Sequence, residues 1–200
     1  MDGSEPQVRK PRADVKRNRA ALLATAQRHF RQYGVGTSLE AVAKEAGVGP
    51  GTLYRHFPTR DALLAAVLQT RSEELAARRA DIEQLGDAGA ALEQWLRAMV
   101  EYFSAFSGLP EPLMSAARAQ DPDNPLTIPC DIFTAATDKY VAAAQRAGYV
   151  RASVRGTDLF LAACSFAWIK GNGAEDESLD RLRELLASGY REPDGKAQNA

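Results

Sequence analysis

Residues 38–57, Ser-Leu-Glu-Ala-Val-Ala-Lys-Glu-Ala-Gly-Val-Gly-Pro-Gly-Thr-Leu-Tyr-Arg-His-Phe, constrain this chain most. They read as two short helices joined by a tight turn. Ser38 is placed to cap the first by accepting a bond from an orphan N–H. Leu39, Val42, Ala43 and Ala46 recur at helical spacing and form one apolar face. Ala43 lies four residues before Gly47 and is small enough to let a second helix pack close. Gly47 can take the positive φ that a tight turn demands. Val48 plugs the corner. Gly49, Pro50 and Gly51 open the second helix, proline being tolerated in a first turn. Leu53 and Phe57 face the core. Thr52, Tyr54, Arg55 and His56 are left facing outward or flanking that face, as donors suited to phosphates and base edges. A helix-turn-helix of this kind places its second helix in the DNA major groove.

With its capping serine and its Tyr-Arg-His-Phe ending, the segment resembles the tetracycline-repressor (TetR) family of regulators. The resemblance covers residues 15–68 closely and is only architectural beyond about residue 80. It implies an all-α fold, with an N-terminal three-helix DNA-binding domain and a C-terminal helical domain for ligand binding and dimerisation. Tyr54 and His56 would contact phosphate. Thr37 and Ser38 are caps first, and a helix N-terminus also offers free N–H groups to phosphate. Lys44 is either a solvated charge or a phosphate contact. Gly49, Pro50, Gly51, Thr52, Arg55 and Arg60 complete the expected DNA-binding set. Two positions depart from the family pattern. Gly49 stands where Ser or Thr is common, which removes one polar contact. Arg60 stands where Lys is common, which keeps a phosphate-binding cation.

Charge is distributed to match. Residues 1–60 carry 11 Lys or Arg against 5 Asp or Glu, and the remainder 14 against 21. A basic head on an acidic body suits a nucleic-acid reader. Residues 1–13 are expected to be a disordered basic arm, 14–58 the DNA-binding domain, 59–190 the helical regulatory and dimerisation domain, and 191–200 a disordered tail. The arm and the start of the first helix carry Arg9, Lys10, Arg12, Lys16, Arg17 and Arg19, read as phosphate contacts or as a solubilising tail. A first helix is expected from about Val15 to Tyr33, with Val15, Leu22, Ala26, Phe30 and Tyr33 as its apolar stripe. Thr59 then caps a fourth helix running to about Ile82. Further helices are expected near 88–106, 112–119, 127–147, 155–171 and 176–188. Pro110, Pro112, Pro122, Pro125 and Pro129 mark a loop or an interrupted helix.

Trp95, Met99, Tyr102, Phe103, Phe106, Met114, Phe133, Tyr140 and Trp168 hold much of the body's aromatic and sulfur content. They are either bundle core or, as the resemblance implies, the lining of a ligand cavity. Glu101 lies on the same segment and would favour a cationic or neutral ligand. Leu159, Ala163, Phe166, Ala167, Leu179, Leu182 and Leu186 sit in the last two helices, which the resemblance implies pair with a second copy. They could equally be intrachain core.

Nothing points to catalysis. The two histidines, His29 and His56, both fall in the head, and no nucleophile elbow, phosphate loop or His-Glu-x-x-His motif occurs. Cys130 and Cys164 lack metal-ligand spacing, and Asp121 and Asp123 read as turn residues. No metal and no cofactor is expected. The start lacks an apolar run and no segment is long enough to span a membrane, so a cytoplasmic protein is expected. The expected function is a homodimeric DNA-binding regulator, a repressor released from a palindromic operator by a small-molecule effector. The alternatives are the same fold answering to a protein partner or to nothing, and a non-specific DNA-binding protein.

Overall fold

A computed structural model describes residues 11–193. Arg9 and Lys10, expected to contact phosphate, and the tail beyond 193, expected to be disordered, lie outside the described residues. Ten helices are found there: α1 Pro11–Tyr33, α2 Leu39–Glu45, α3 Pro50–His56, α4 Arg60–Thr70, α5 Ser72–Glu83, α6 Ala88–Ser104, α7 Pro110–Ala119, α8 Thr127–Arg146, α9 Gly156–Gly171 and α10 Asp176–Tyr190. The all-α expectation holds.

Local chemistry explains most boundaries. Ser38 accepts from the Ala41 N–H at 3.2 Å, Thr59 from Ala62 at 3.1 Å and Asp87 from Ala90 at 2.9 Å, each capping the helix that follows. Gly34 and Gly47 take φ of +78° and +72° just past α1 and α2, where a side chain would be strained. The helix α1 starts at Pro11 rather than near Val15. Its stripe is narrower than expected: Leu22, Ala26 and Phe30 are buried, whereas Val15 and Tyr33 are exposed.

Two departures sit in the connection to the body and in the body itself. The expected single fourth helix is broken at Arg71 into α4 and α5. No glycine or proline causes this. Arg71 turns its side chain inward, donating to the Tyr102 carbonyl at 3.2 Å and pairing with Glu74 at 3.0 Å. Its guanidinium lies 4.4 Å from the Tyr102 ring centroid and 5.0 Å from that of Phe106. The proline-rich stretch is mostly ordered helix: Pro110 opens α7 and Pro129 sits in the first turn of α8.

The head packs α1, α2 and α4 around Phe30, Leu39, Val42, Leu53, Phe57 and Leu63. The body centres on α6, α8 and α9, where Phe103, Phe133 and Phe160 meet in edge and stacked contacts. Where α9 starts, the Gly156 N–H donates to Asp138 Oδ1 at 2.8 Å. Arg191, expected to fray, instead pairs with Glu93 at 2.6 Å and Glu184 at 3.1 Å.

Candidate nucleic-acid interface and ligand cleft

The turn between α2 and α3 is built as the residues require. Leu53 is fully buried beneath α3, Val48 is half-buried at the corner, and Gly47 is exposed. Helical geometry then fixes the opposite face. Gly51 and Arg55 are four apart and point away from Leu53, with Tyr54 and Thr52 on the flanks. Gly49, Pro50, Gly51, Tyr54 and Arg55 are exposed, and Thr52 and His56 half-buried. A Cβ at Gly49 or Gly51 would meet nothing within 4 Å, so the protein's own packing does not demand glycine at either position.

Glu40 was not singled out in the sequence, yet it dominates the polar surface of this face. Its carboxylate accepts from the Tyr54 hydroxyl at 2.9 Å and from Ser38 at 2.8 Å. Backbone N–H donation, then Ser38 and Tyr54, hold this carboxyl below its ordinary range. The same bond pushes the Tyr54 phenol up. Tyr54 is thus an engaged donor in the free protein.

Arg60 is placed differently from a free phosphate cation. Its Nη1 donates to the Val35 carbonyl at 2.5 Å and the Thr37 carbonyl at 2.7 Å, locking the loop that leads into α2. That loop is held from the body side too: the Val35 N–H donates to the Ser107 carbonyl at 2.9 Å. Behind it, His29 Nε2 lies 2.7 Å from Glu45 Oε2, and Arg28 pairs with the same carboxylate at 2.9 Å. Lys44 and Ser38 are exposed and Thr37 is half-buried.

In the body, a cleft of about 590 Å3 opens between α4, α5, α6 and α8. It is open to solvent rather than a closed cavity. Of the expected pocket residues, Trp95, Tyr102 and Phe133 line it. Met99, Phe103 and Phe106 are fully buried in packed core; Tyr140 stacks on Trp95 at 5.4 Å behind the wall; Met114 is half-buried elsewhere. Trp168 is 49% exposed on α9, away from the cleft. Glu101 also lies away from it, paired with Lys170 at 2.8 Å. The sequence reading missed the α4 wall, Ala62, Ala65, Ala66 and Gln69, although its i, i+3, i+4, i+7 spacing marks one helix face. It missed Arg79 as well.

The expected dimer residues divide by exposure. Leu159, Ala163 and Ala167 are buried within the single chain, because that side of α9 packs on α6 and α8, and Leu179 is buried on α10, which packs on α9. Phe166 and Leu186 are half-buried and Leu182 is 39% exposed. Leu185 and Trp168 add exposed apolar surface on the outer sides of α10 and α9. Among the described residues no cluster could hold a metal ion, and no helix is long and apolar enough to cross a membrane.

Comparison with known proteins agrees with this architecture. Residues 22–67 match "Bacterial regulatory proteins, tetR family", and residues 87–192 match "Transcriptional regulator SbtR-like, C-terminal domain". A TetR transcriptional regulator from Streptomyces coelicolor is 31% identical, with 87% of this chain and 98% of that one covered and a TM-score of 0.56. The regulatory protein TetR from Rhodobacter sphaeroides shares the fold at 15% identity, with 86% and 97% covered and a TM-score of 0.57. An HTH-type transcriptional regulator of Staphylococcus aureus (strain USA300) is 42% identical over 59 residues, 29% of this chain. There the chain spans only 32% of the relative's length. The chain belongs to the TetR family of bacterial transcriptional regulators, which are not enzymes.

Proposed function

We propose that the chain is a homodimeric repressor whose α3 reads duplex DNA and whose cleft receives a small-molecule effector. The observation that carries this reading is a shared element. Helix α4 packs on α1 in the head and, through Ala62, Ala65, Ala66 and Gln69, forms one wall of the cleft. A ligand in the cleft therefore touches the helix that sets the head's orientation, and release follows if it binds better to the non-operator geometry.

On the DNA side, Arg55 is the long unencumbered donor at the centre of the outward face of α3. Its fork suits guanine O6 and N7 in the major groove, and the bare Gly51 one turn earlier lets the backbone approach the bases. Tyr54, His56, Thr37, Ser38, Lys44 and the free edge of Arg60 are assigned to phosphate. On the body, Trp168, Leu182, Leu185, Phe166 and Leu186 supply the apolar surface for pairing with a second copy, so that two α3 helices meet two half-sites.

Selection of bound sequences from random duplex DNA tests the reading. A two-fold symmetric consensus is expected, with a G·C pair in each half-site whose preference disappears in Arg55→Ala. Absence of any enriched sequence would mean non-specific binding and would defeat the proposal.

A further inference from the structure

The polar groups around the cleft are almost all spent. The Trp95 indole N–H donates to Thr137 Oγ1 at 2.9 Å, and the Tyr102 hydroxyl donates to the Leu68 carbonyl at 2.8 Å. The wall is otherwise Ala, Leu, Ile, Pro and Phe, apart from Gln69 and Arg79. No carboxylate lines it. Arg79 is the one ionised group in the lining, with its guanidinium carbon 6.0 Å from the Trp95 ring centroid.

That arginine is under-satisfied. Its Nη2 reaches Glu83 at 3.3 Å, a long contact to a largely exposed partner. Its Nε is buried and makes no well-formed hydrogen bond, and the one polar group beside it, the Tyr140 hydroxyl, is neutral and stacked behind Trp95. A charged donor that is only partly satisfied in the wall of an apolar cleft is costly. Ile128 and Ile132, four apart on α8, also line the cleft and stand 68% and 60% exposed as apolar surface.

We infer that the cleft takes an amphipathic organic acid, whose carboxylate sits on Arg79 and whose apolar body lies along Trp95, Phe133 and the α4 alanines. This rests on the reading of the cleft as the effector site. It also reverses the charge preference that Glu101 suggested in the sequence, because Glu101 is turned to Lys170. Arginine suits the role: its planar fork binds carboxylate bidentately and stays charged throughout the working pH range. Glu83 competes for the same guanidinium and lowers the affinity that an acid can reach.

The test uses one apolar chain with three head groups. Decanoic acid, 1-decanol and decylamine are titrated calorimetrically against the full chain. The acid is expected to bind at least about tenfold more tightly than the alcohol, and the amine more weakly than either. In Arg79→Gln the acid should fall to within about twofold of the alcohol, while the alcohol's own affinity holds. In Glu83→Gln the acid should bind severalfold more tightly. Ala76→Trp, which fills the cleft from an exposed position of α5, should weaken all three; if it does not, the site lies elsewhere and the inference is overturned. Equal or tighter binding of alcohol or amine by the wild type, or an acid preference that survives Arg79→Gln, overturns the acid assignment but leaves the effector reading standing. Binding of none of the three removes both.

Discussion

The loop between α1 and α2 carries a prediction that isolates the contact between head and body. Gly34 and Gly47 have nearly the same backbone conformation, φ +78° and +72°. Alanine in that left-handed region costs about 1–2 kcal/mol at either site. The loss of chain freedom in the unfolded state offsets part of this equally for both, by about 0.4–1 kcal/mol. Their surroundings differ. A Cβ at Gly47 would meet nothing within 4 Å, whereas one at Gly34 would lie 2.9 Å from the Ser107 carbonyl oxygen. That oxygen is backbone and already holds the Val35 N–H, so it cannot simply swing away. Overpacking of this kind costs about 1–3 kcal/mol. Gly34→Ala should therefore destabilise by that much more than Gly47→Ala, read from midpoint shifts in urea at unchanged slope. It should also weaken DNA binding, because the displaced loop carries Thr37 and Ser38. If the two variants differ by less than about 0.5 kcal/mol, the loop is not clamped against the body and the reasoning fails.

Three shorter tests address separate parts of the molecule. Glu40 is held below the ordinary carboxylate range; Glu40→Gln removes its negative charge from the DNA-facing surface while leaving an oxygen that can accept from Tyr54, and should tighten DNA binding severalfold at low salt, an outcome that unchanged affinity in a salt titration would contradict. Leu185→Glu, at a 69% exposed position, should give a folded monomer by sedimentation, whereas Leu179→Glu, at a fully buried one, should unfold the chain. Burial pushes the Cys130 thiol up to about 12 and Cys164 higher still, so both should resist thiol reagents at pH 8 until denaturant is added; rapid native labelling would show that the core around them opens.

The head was legible because short-range chemistry decides it. Ser38, Gly47, Pro50, Leu53 and Thr59 each act within a few residues of themselves, and the structure gives each the capping, turning or burying role that its type and spacing imply. The break at Arg71 was not legible. The ring and the carbonyl that Arg71 meets lie about thirty positions later and are brought close only when α6 packs against α5. The aromatic set in the body was ambiguous for a related reason. Met99 and Phe103 share α6 with Trp95 and Tyr102, and Phe106 follows just past its end; only the placement of α8 and α9 decides which of these reaches the cleft. Arg79 hid in a charged run, Ala77-Arg78-Arg79-Ala80-Asp81, where periodicity carries no sign of which arginine turns inward.

Tyr102 joins these two regions, and its role yields the last prediction. One side of its ring forms cleft wall, the Arg71 guanidinium lies over it at 4.4 Å, and its hydroxyl holds the Leu68 carbonyl at the end of α4. Burial pushes its phenol up to about 12, with Arg71 pulling it partly back, so it remains a donor throughout the range in which the protein works. A ligand seated on Tyr102 thus presses on a side chain bonded to the last turn of the helix that leads to the head. Tyr102→Phe keeps the wall but removes one of the two bonds to the Leu68 carbonyl, which still accepts from the Arg71 N–H at 3.1 Å, so the loss should be about 0.5–1.5 kcal/mol. The variant should bind a cleft ligand with near-unchanged affinity and still bind DNA. The factor by which ligand lowers DNA affinity should shrink, and by linkage the factor by which DNA lowers ligand affinity should shrink equally. Measuring both factors in wild type and variant decides the matter. Coupling that is unchanged in Tyr102→Phe would mean that the signal reaches the head through the α4 alanines alone, with the Leu68 bond serving only stability.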